Sequence, residues 1–426
     1  PSLFCPASCK YCFGPNQGIG NVPYKGEYPS GMYENRTMDA STIEYALDFA
    51  LRLIEKPHLI EGLPLCSKHV RVIFHGGEPL SAGISFFKKA LPQIVRRFQG
   101  SVIRNGEGKA YLEVETAHPV VEFSLQSNLW LLTEDMCQLF AEYGVGLGVS
   151  LDGPEEITDE QRCSGYFQKT MDAIDMARRH GISTACLATF TRYSAKRMDE
   201  VYDFFVREGL DFSFHQAVAP LNGKREDSWS LHPEEYGELL VNLFERYINQ
   251  PPGIKIDTLD SLCSSVATGK GCTCTFTDCL GDFFAIAPNG GIYPCQRFIA
   301  SEDSTFGNGF CLGNVRNGHD TLDLKAHPFW QYLKQRQDVI NEAASLSSDC
   351  SRCTYLPFCR GGCVYNALSI GNKSPKDPYC PAYKRIYGHI IERAISEVFS
   401  EENLSLAVKE GGGLIKKGRL LELMKR

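Results

Sequence analysis

The sequence lacks several features that would place it in other classes of protein. No window of its 426 residues approaches the roughly 20 consecutive apolar residues that a membrane-spanning helix requires. Basic residues are not in excess, because 44 lysines and arginines stand against 51 acidic residues and give a formal charge of −7. We therefore expect neither a membrane nor a nucleic acid as a partner.

Further absences narrow the class of protein to which the chain can belong. No apolar segment of a secretory signal is visible near Pro1. The starting methionine is absent too, so we expect that residues ahead of Pro1 are missing from the chain. There is no fixed-period repeat and no long low-complexity tract. With 43% apolar and 22% charged residues, the composition is that of a folded chain, and the length predicts two or three domains.

Cysteine, in contrast, is abundant and unevenly distributed. Of the 18 cysteines, ten lie between Cys272 and Cys380, and three more lie between Cys5 and Cys12. In a large chain without a secretion signal, clustered cysteines favour metal or redox chemistry over structural disulfides.

Up to about residue 230, short apolar runs alternate with amphipathic helical patterns. The apolar runs are 70–74, 122–126, 146–150, 185–189 and 211–216, and the helical patterns lie near 40–55, 85–98, 132–143, 166–180 and 195–208. This alternation predicts an α/β fold with repeated βα units and a parallel sheet. Polar residues follow three of the runs, and the carboxyl ends of strands are where such folds place their chemistry.

Two kinds of segment interrupt or follow this alternation. Polar residues 100–119 are typical of a surface insertion within it, and helical patterns resume near 233–249. From about 270 to 381 the sequence is rich in Cys, Gly, Pro and aromatic residues, which predicts a loop-rich domain held by metal. A final helix is expected near 381–400, before a basic tail. We therefore predict four segments: a barrel over 1–230, a helical linker over 231–270, the metal-held domain over 271–381, and a C-terminal helix and tail over 382–426.

The first cysteine motif is Cys5-x3-Cys9-x2-Cys12. Three thiolates at this spacing can wrap one loop around a cubane iron–sulfur cluster and leave one iron without a protein ligand. A cosubstrate can bind iron at that position. A zinc knuckle is the alternative, but structural zinc prefers four protein ligands, and no fourth Cys or His lies close by in the sequence.

This motif resembles the signature of the radical S-adenosylmethionine (SAM) superfamily. The resemblance implies a partial (β/α)6, TIM-like barrel in which the open iron chelates SAM. An electron from the cluster then cleaves SAM to methionine and a 5′-deoxyadenosyl radical, which abstracts a hydrogen from the substrate. The chemistry belongs to the cofactor, and the protein orients and shields it.

Residues at the predicted strand ends resemble the SAM pocket of the same family. Gly76-Gly77-Glu78-Pro79 resembles its GGEP motif, in which the glycines allow close approach and Glu78 accepts from the SAM ammonium. Ser150 and Asp152 match residues on the ribose side. Arg162, 12 residues after Ser150, matches an arginine that binds the SAM carboxylate. The remaining positions that the resemblance implies are Tyr11, Gln126, Asn128 and Leu221.

The downstream cysteines resemble the SPASM extension of radical SAM enzymes, which holds two auxiliary [4Fe–4S] clusters. The resemblance assigns the first auxiliary cluster to an upstream cysteine together with Cys279, Cys295 and Cys363. It assigns the second to Cys350, Cys353, Cys359 and Cys380. Cys272 and Cys274 both lie near the spacing of the upstream ligand, and we favour Cys274. A pair of zinc ribbons is the alternative, which these spacings fit poorly.

The resemblance implies a peptide or protein substrate whose side chain is oxidised to a thioether, a crosslink or a related product. Sulfatase-maturing relatives carry a catalytic Asp where this chain has Gln296, and Gln cannot act as a base. This argues against formylglycine formation and leaves the catalytic base unassigned. A small-molecule substrate and a non-catalytic, metal-stapled adaptor are the alternatives, although an adaptor has no need of an intact SAM pocket.

With three oxygen-labile clusters, the protein is expected in a reducing cytoplasm, and it needs an external electron donor such as flavodoxin or ferredoxin.

Overall fold

The computed structural model describes a large part of the chain. The described residues are 1–12, 37–55, 69–98, 120–219, 221, 228–277, 280–281, 283–299, 309–317, 324–341, 350–369 and 376–398. The predicted insertion over 100–119 and the predicted basic tail lie outside these residues, as does Cys279.

The chain divides into two compact units, each made of two stretches. The first unit comprises residues 1–188 and 279–334, and the second comprises residues 189–278 and 335–426. The segment boundaries that we infer from composition, near 230, 270 and 381, stay predictions.

A five-stranded sheet forms the framework and confirms the α/β class. Its strands run in the order β1-β2-β3-β4-β5, and the pairs from β1 to β4 are parallel. The strands are β1 (His69–Phe74), β2 (Val120–Ser127), β3 (Gly146–Ser150), β4 (Thr184–Phe190) and β5 (Phe212–Gln216). A partial (β/α)6 barrel has a sixth parallel strand. Beside β1, the described residues show a single parallel β-bridge, between Ser2 and Gly76, in place of that strand.

Helices follow the strands where the amphipathic patterns predict them. They are α1 (Ala40–Glu55), α2 (Ile84–Phe98), α3 (Glu134–Glu142), α4 (Glu155–Gln161), α5 (Tyr166–Arg179), α6 (Arg192–Ala195) and α7 (Met198–Arg207). Helix α3 illustrates which local interactions fix where a helix begins. The Thr133 hydroxyl caps its N-terminus by accepting from the Met136 amide at 3.3 Å, and two acidic residues occupy its first turn. The short helix α4 is not among the predicted elements.

The strands alternate between a face buried under helices and a face that remains accessible. On β3, Leu147 and Val149 are buried, whereas Gly146, Gly148 and Ser150 are only half-buried. This period of two is what a sheet with one covered face requires. The accessible face is therefore the one that can present polar groups to a ligand.

The second stretch of the first unit is a small antiparallel sheet with an aromatic core. Its strands are β6 (Ala285–Ile286), β7 (Gly291–Tyr293) and β8 (Gly313–Asn314), and helix α10 (Pro328–Asn341) begins at its end. The rings of Phe298, Phe310 and Phe329 pack with centroids 4.6–5.1 Å apart. This buried aromatic cluster supplies a core to a segment that has few long elements.

The second unit is mainly helical. Besides α7 it contains α8 (Pro233–Asn249), α9 (Asp257–Thr268), α11 (Leu356–Cys359), α12 (Val364–Ser369) and α13 (Cys380–Val398). Gly237 on α8 allows close packing against α13, since a Cβ atom there would lie 3.1 Å from the Ala382 Cα. No helix among the described residues is long and apolar enough to cross a membrane.

Candidate functional site

The glycines of the Gly76-Gly77 pair make room for the start of the chain itself. A Cβ at Gly76 would lie 2.1 Å from the Ser2 carbonyl oxygen, and one at Gly77 would lie 2.4 Å from the Leu3 carbonyl oxygen. The Gly77 amide donates to Ser2 at 3.0 Å, and the Glu78 amide donates to Phe4 at 2.6 Å. Residues 2–4 are thereby fixed alongside the end of β1, and the cysteine loop follows immediately.

The loop from Cys5 to Cys12 gathers its three thiols at one place. The Cys12 amide donates to the Cys9 carbonyl at 3.3 Å and closes a turn. Burial raises the pKa of Cys9 to about 12, and the neighbouring Cys12 adds to that shift, although Arg162 opposes it. Burial likewise raises the pKa of Cys5, with both other thiols of the loop contributing.

Two polar side chains, one after strand β2 and one after helix α4, contact this loop at sulfur. The Asn128 Nδ2 lies 3.8 Å from the Cys5 Sγ, and the Arg162 Nη1 lies 3.8 Å from the Cys9 Sγ. The backbone is also anchored, because the Lys10 amide donates to the Gln161 carbonyl at 3.0 Å. Donors that point at sulfur stabilise the negative charge that ligated thiolates carry.

Arg162 forms a buried, bidentate ion pair with Asp152. Its Nη2 donates to Oδ1 at 2.7 Å and its Nε donates to Oδ2 at 2.9 Å, and the side chains of Arg162 and Asp152 are 7% and 0% exposed. The same Asp152 Oδ2 accepts from the Tyr11 hydroxyl at 2.7 Å and from the Gln161 Nε2 at 2.9 Å. The guanidinium stacks over the ring of Tyr166, 4.9 Å from its centroid.

This network brings three predicted SAM residues together in an unexpected way. Arg162 and Asp152 are predicted to contact different parts of SAM, but here each is the principal partner of the other. Tyr11, predicted on the adenine side, ties the cysteine loop to this pair. The Arg162 Nη1 remains directed at Cys9 and at the Tyr166 hydroxyl, which is 3.2 Å away. Of the three guanidinium nitrogens of Arg162, only Nη1 is directed at a cysteine of the loop.

Glu78 is buried and joins two strand ends. Its Oε1 accepts from the Ser127 hydroxyl at 2.7 Å and from the Leu80 amide at 2.9 Å, and its Oε2 accepts from the Asn128 amide at 3.0 Å. Burial raises the pKa of this carboxyl, and the three donors oppose that shift. The acidic residue of the motif thus holds the Asn128 that contacts Cys5.

The predicted polar residues of β2 and β3 also meet. The Gln126 Nε2 donates to the Ser150 hydroxyl at 3.0 Å across the accessible face of the sheet. Gly148 leaves space for this side chain, since a Cβ there would lie 2.2 Å from the Gln126 Oε1. Leu221 belongs to the second unit, and its predicted role stays a prediction.

Replacing Glu78 with glutamine is expected to lower the free energy of unfolding by about 1–3 kcal/mol, because one backbone or hydroxyl donor would face an amide NH2 group instead of an acceptor. Thermal unfolding checks this, with Glu160→Gln as the control because Glu160 forms only an exposed pair with Lys10. Equal melting temperatures for both variants would contradict the role of Glu78 as an acceptor of three bonds.

The second unit contains a cavity at four of the predicted ligands. Cys350, Cys353, Cys359 and Cys380 line it, together with Lys376, Lys384 and neighbouring residues of α11 and α13. Burial raises the pKa of Cys380, whereas Lys384 and Lys376 act against that shift. Four grouped thiols with nearby cations fit a bound iron–sulfur cluster.

The other predicted auxiliary ligands occupy separate places in the chain. Cys295 precedes a short 3-10 turn that begins at Gln296, and Cys363 directly precedes α12. Cys274 begins another 3-10 turn after α9, whereas the Cys272 thiol donates to the Lys270 carbonyl at 3.5 Å. Among the described residues, no group of three or more His, Cys, Asp or Glu side chains is arranged to hold a single metal ion.

Several residues of these sites are absent from our predicted set. Tyr166 and Gln161 complete the Arg162–Asp152 network, and Asp377 accepts four bonds beside the second group of cysteines. The sequence carries no signal for Tyr166 or Asp377.

Comparison with known proteins agrees with this architecture. The family model described as the radical SAM superfamily matches residues 1–205. An uncharacterized protein of Methanothermobacter thermautotrophicus is 32% identical over 271 residues, which are 64% of this chain and 86% of that protein. The cysteine-type anaerobic sulfatase-maturating enzyme of Clostridium perfringens (strain ATCC 13124) is 25% identical over 406 residues, covering 92% of this chain and 95% of the enzyme.

A solved structure shows the same fold. Native anSMEcpe with bound AdoMet and Cp18Cys peptide superposes with a TM-score of 0.68 at 21% identity, over 93% of this chain and 96% of that one.

A parallel partial barrel with a three-cysteine loop at its strand ends defines an enzyme that works by radical chemistry. This chain belongs to the radical SAM superfamily. Within it, the chain is a radical SAM enzyme related to maturases that modify peptides and proteins.

Proposed function

We propose that this enzyme oxidises a side chain of a ribosomally made peptide or protein, using SAM and three [4Fe–4S] clusters. The observation that carries the proposal is the loop of Cys5, Cys9 and Cys12, in which Asn128 after β2 contacts the Cys5 sulfur and Arg162 after α4 contacts the Cys9 sulfur. Two similarities support the choice of substrate. One relative is a sulfatase-maturating enzyme, and the solved structure with the same fold holds AdoMet and a peptide.

Cys5, Cys9 and Cys12 would hold the first cluster. When bound, that cluster and SAM supply a 5′-deoxyadenosyl radical that removes a hydrogen atom from the substrate. The protein meanwhile binds and orients the cosubstrate. The Glu78 Oε2 accepts one bond from Asn128 and retains capacity for the SAM ammonium.

The remaining contacts follow from the network. Ser150 accepts from Gln126 through its oxygen, so its hydroxyl hydrogen is available to a ribose oxygen. The Nη1 edge of Arg162 faces the loop and would meet the SAM carboxylate. Asp152 orients Arg162 and, through Tyr11, the loop. Gly76 and Gly77 hold the segment that leads into the loop, and Leu221 is proposed on the adenine side.

Auxiliary clusters are proposed at the two downstream sets of cysteines. Cys350, Cys353, Cys359 and Cys380 line one cavity and would hold the second auxiliary cluster. Cys274, Cys279, Cys295 and Cys363 would hold the first. Cys274 is proposed in preference to Cys272 as the upstream ligand. An external donor such as flavodoxin or ferredoxin would deliver electrons, in a reducing cytoplasm.

The first test is the content of iron and acid-labile sulfide after anaerobic purification. Three [4Fe–4S] clusters give about 12 of each per chain. About 4 irons, with zinc in the remaining sites, would retain the SAM chemistry but contradict the auxiliary clusters.

Cleavage of SAM tests the first site. With dithionite and SAM, the parent protein is expected to form 5′-deoxyadenosine, and Cys9→Ala is expected to abolish the product and to remove about 4 irons. Cys137→Ala is the control, since Cys137 is buried on α3 and away from the loop cysteines in the fold. Full product from Cys9→Ala with its iron intact would overturn the assignment.

The substrate class requires separate evidence. A peptide encoded beside this protein is expected to lose hydrogen during turnover, which mass spectrometry detects. A peptide bearing a sulfatase motif is expected to remain without formylglycine, because Gln296 supplies no base. Turnover of a small molecule alone would favour the alternative substrate class.

A further inference from the structure

Asp377 is a buried carboxylate that none of the proposed reaction steps uses. It is 1% exposed and lies three residues before Cys380. Buried acidic side chains are rare unless they are paired or fully hydrogen-bonded, so its presence beside proposed cluster ligands calls for a role.

Every bond to the Asp377 side chain comes from a donor. Its Oδ2 accepts from the Cys363 amide at 2.8 Å, the Asn366 Nδ2 at 2.9 Å and the Tyr383 hydroxyl at 3.0 Å. Its Oδ1 accepts from the Tyr379 amide at 2.9 Å. Four donors around two oxygens are suited to an ionised carboxylate, which has only acceptors to offer.

The backbone of Asp377 is fixed as firmly as its side chain. Its amide donates to the Gly361 carbonyl at 2.9 Å, and its carbonyl accepts from the Cys380 amide at 3.0 Å. Gly362 permits this contact, because a Cβ there would lie 2.4 Å from the Asp377 Cβ. One residue therefore connects the turn that ends at Cys363 with the first residue of α13.

Asp377 is also bonded directly to the wall of the cavity. Both of its backbone partners, Cys380 and Gly361, line the cavity that the four cysteines share. Lys376 and Lys384 line the same cavity. The four cysteines thus lie among a buried anion and two cations.

We propose that Asp377 is a positioning residue that holds Cys363 and Cys380 in register and, as a fixed anion, keeps the reduction potential of the second auxiliary cluster low. The proposal rests on the proposed function, since it needs a cluster at Cys350, Cys353, Cys359 and Cys380. Net charge and hydrogen bonding near a cluster are known determinants of its potential.

Asp377→Asn and Asp377→Ala separate the two roles. The Asn variant removes the charge and loses the bond from the Tyr379 amide but keeps an oxygen for the other three donors, so iron is expected to stay at about 12 per chain while the potential of one auxiliary cluster shifts upward. The Ala variant removes all four bonds, and about 4 irons are expected to be lost. Redox titration by electron paramagnetic resonance in a Cys9→Ala background isolates the auxiliary signals.

Two further variants sharpen the test. Tyr383→Phe removes one of the four donors but leaves the carboxyl group, so the potential is expected to change less than in Asp377→Asn. Asp338→Asn, an exposed residue of α10, is the control and is expected to change neither iron nor potential. Unchanged potentials in Asp377→Asn together with full iron in Asp377→Ala would overturn the inference.

The iron content of the wild-type protein distinguishes a failure of the proposed role of Asp377 from a failure of the proposed auxiliary clusters. About 12 irons in the parent chain with no effect of Asp377 substitutions contradicts only the role of this residue. A parent chain without auxiliary iron contradicts the proposed clusters themselves.

Discussion

Arg162→Ala is expected to reduce the free energy of unfolding by about 3–5 kcal/mol, because it leaves the Asp152 carboxylate buried without its cation. The two donors at 2.7 and 2.9 Å disappear, and the Tyr11 hydroxyl and Gln161 amide cannot replace a positive charge. The loop that carries Cys9 also loses its contact with the guanidinium. Denaturant unfolding under anaerobic conditions measures the loss.

A second pair in the same region provides a matched control. Lys10 and Glu160 are 2.7 Å apart, but their side chains are 40% and 49% exposed. Exposed pairs contribute less than about 1 kcal/mol, so Lys10→Ala is expected to change little. If Lys10→Ala and Arg162→Ala destabilised the protein equally, the burial of the Arg162–Asp152 pair would not be what stabilises this loop.

Function can be separated from stability by a double variant. Asp152→Leu combined with Arg162→Met replaces the buried pair with apolar groups, and such replacements are often neutral or stabilising. We expect most of the lost stability to return while SAM cleavage remains impaired, since the donor near Cys9 is still absent. Recovery of full SAM cleavage would show that Arg162 serves the fold alone.

The fold was largely predictable because its periodic signals are strong. Apolar runs of five or six residues at regular spacing specify β1 to β5, and the amphipathic patterns specify the long helices. Helix α4 was missed because Glu155–Gln161 is short and mostly polar, so it has no apolar stripe. Residues 2–4 show no strand pattern, and only the glycines opposite them explain their position.

The residues of the site were predictable from the sequence, but the hydrogen bonds and ion pairs between them were not. The motifs identify Glu78, Asp152 and Arg162 as residue types, yet nothing in their order shows that Arg162 pairs with Asp152. That pairing depends on how α4 turns the chain back toward the loop. The sequence does not identify Asp377 as a residue of the site, because an acidic residue within a Lys-Asp-Pro segment is typical of an exposed turn.

Gly77→Ala is expected to be strongly damaging, although it adds only a single methyl group. The new Cβ would lie 2.4 Å from the Leu3 carbonyl oxygen and 2.7 Å from the Phe4 carbonyl oxygen, and these are backbone atoms that cannot rotate away. Residues 2–4 would have to leave the end of β1, and the bonds from the Gly77 and Glu78 amides would break. We expect a loss of roughly 3 kcal/mol of stability.

The consequence for the site should be larger than the loss of stability indicates. Because the cysteine loop begins directly after residues 2–4, its position depends on their pairing with Gly76 and Gly77. Gly77→Ala is therefore expected to lose about 4 irons and all SAM cleavage, while the cysteine cavity of the second unit keeps its cluster. Iron analysis and the auxiliary paramagnetic signals measure the two sites independently.

Gly253→Ala is the appropriate control. An added Cβ at Gly253 meets no atom within 4 Å, and its φ is not in the left-handed region, so the substitution is expected to be neutral or to stabilise by about 0.4–1 kcal/mol. Full iron and activity in Gly77→Ala would mean that residues 2–4 reach the cysteine loop by another path. Since the backbone at Gly77 leaves no space for that methyl group, the loss of the first cluster alone is the result that the structure requires.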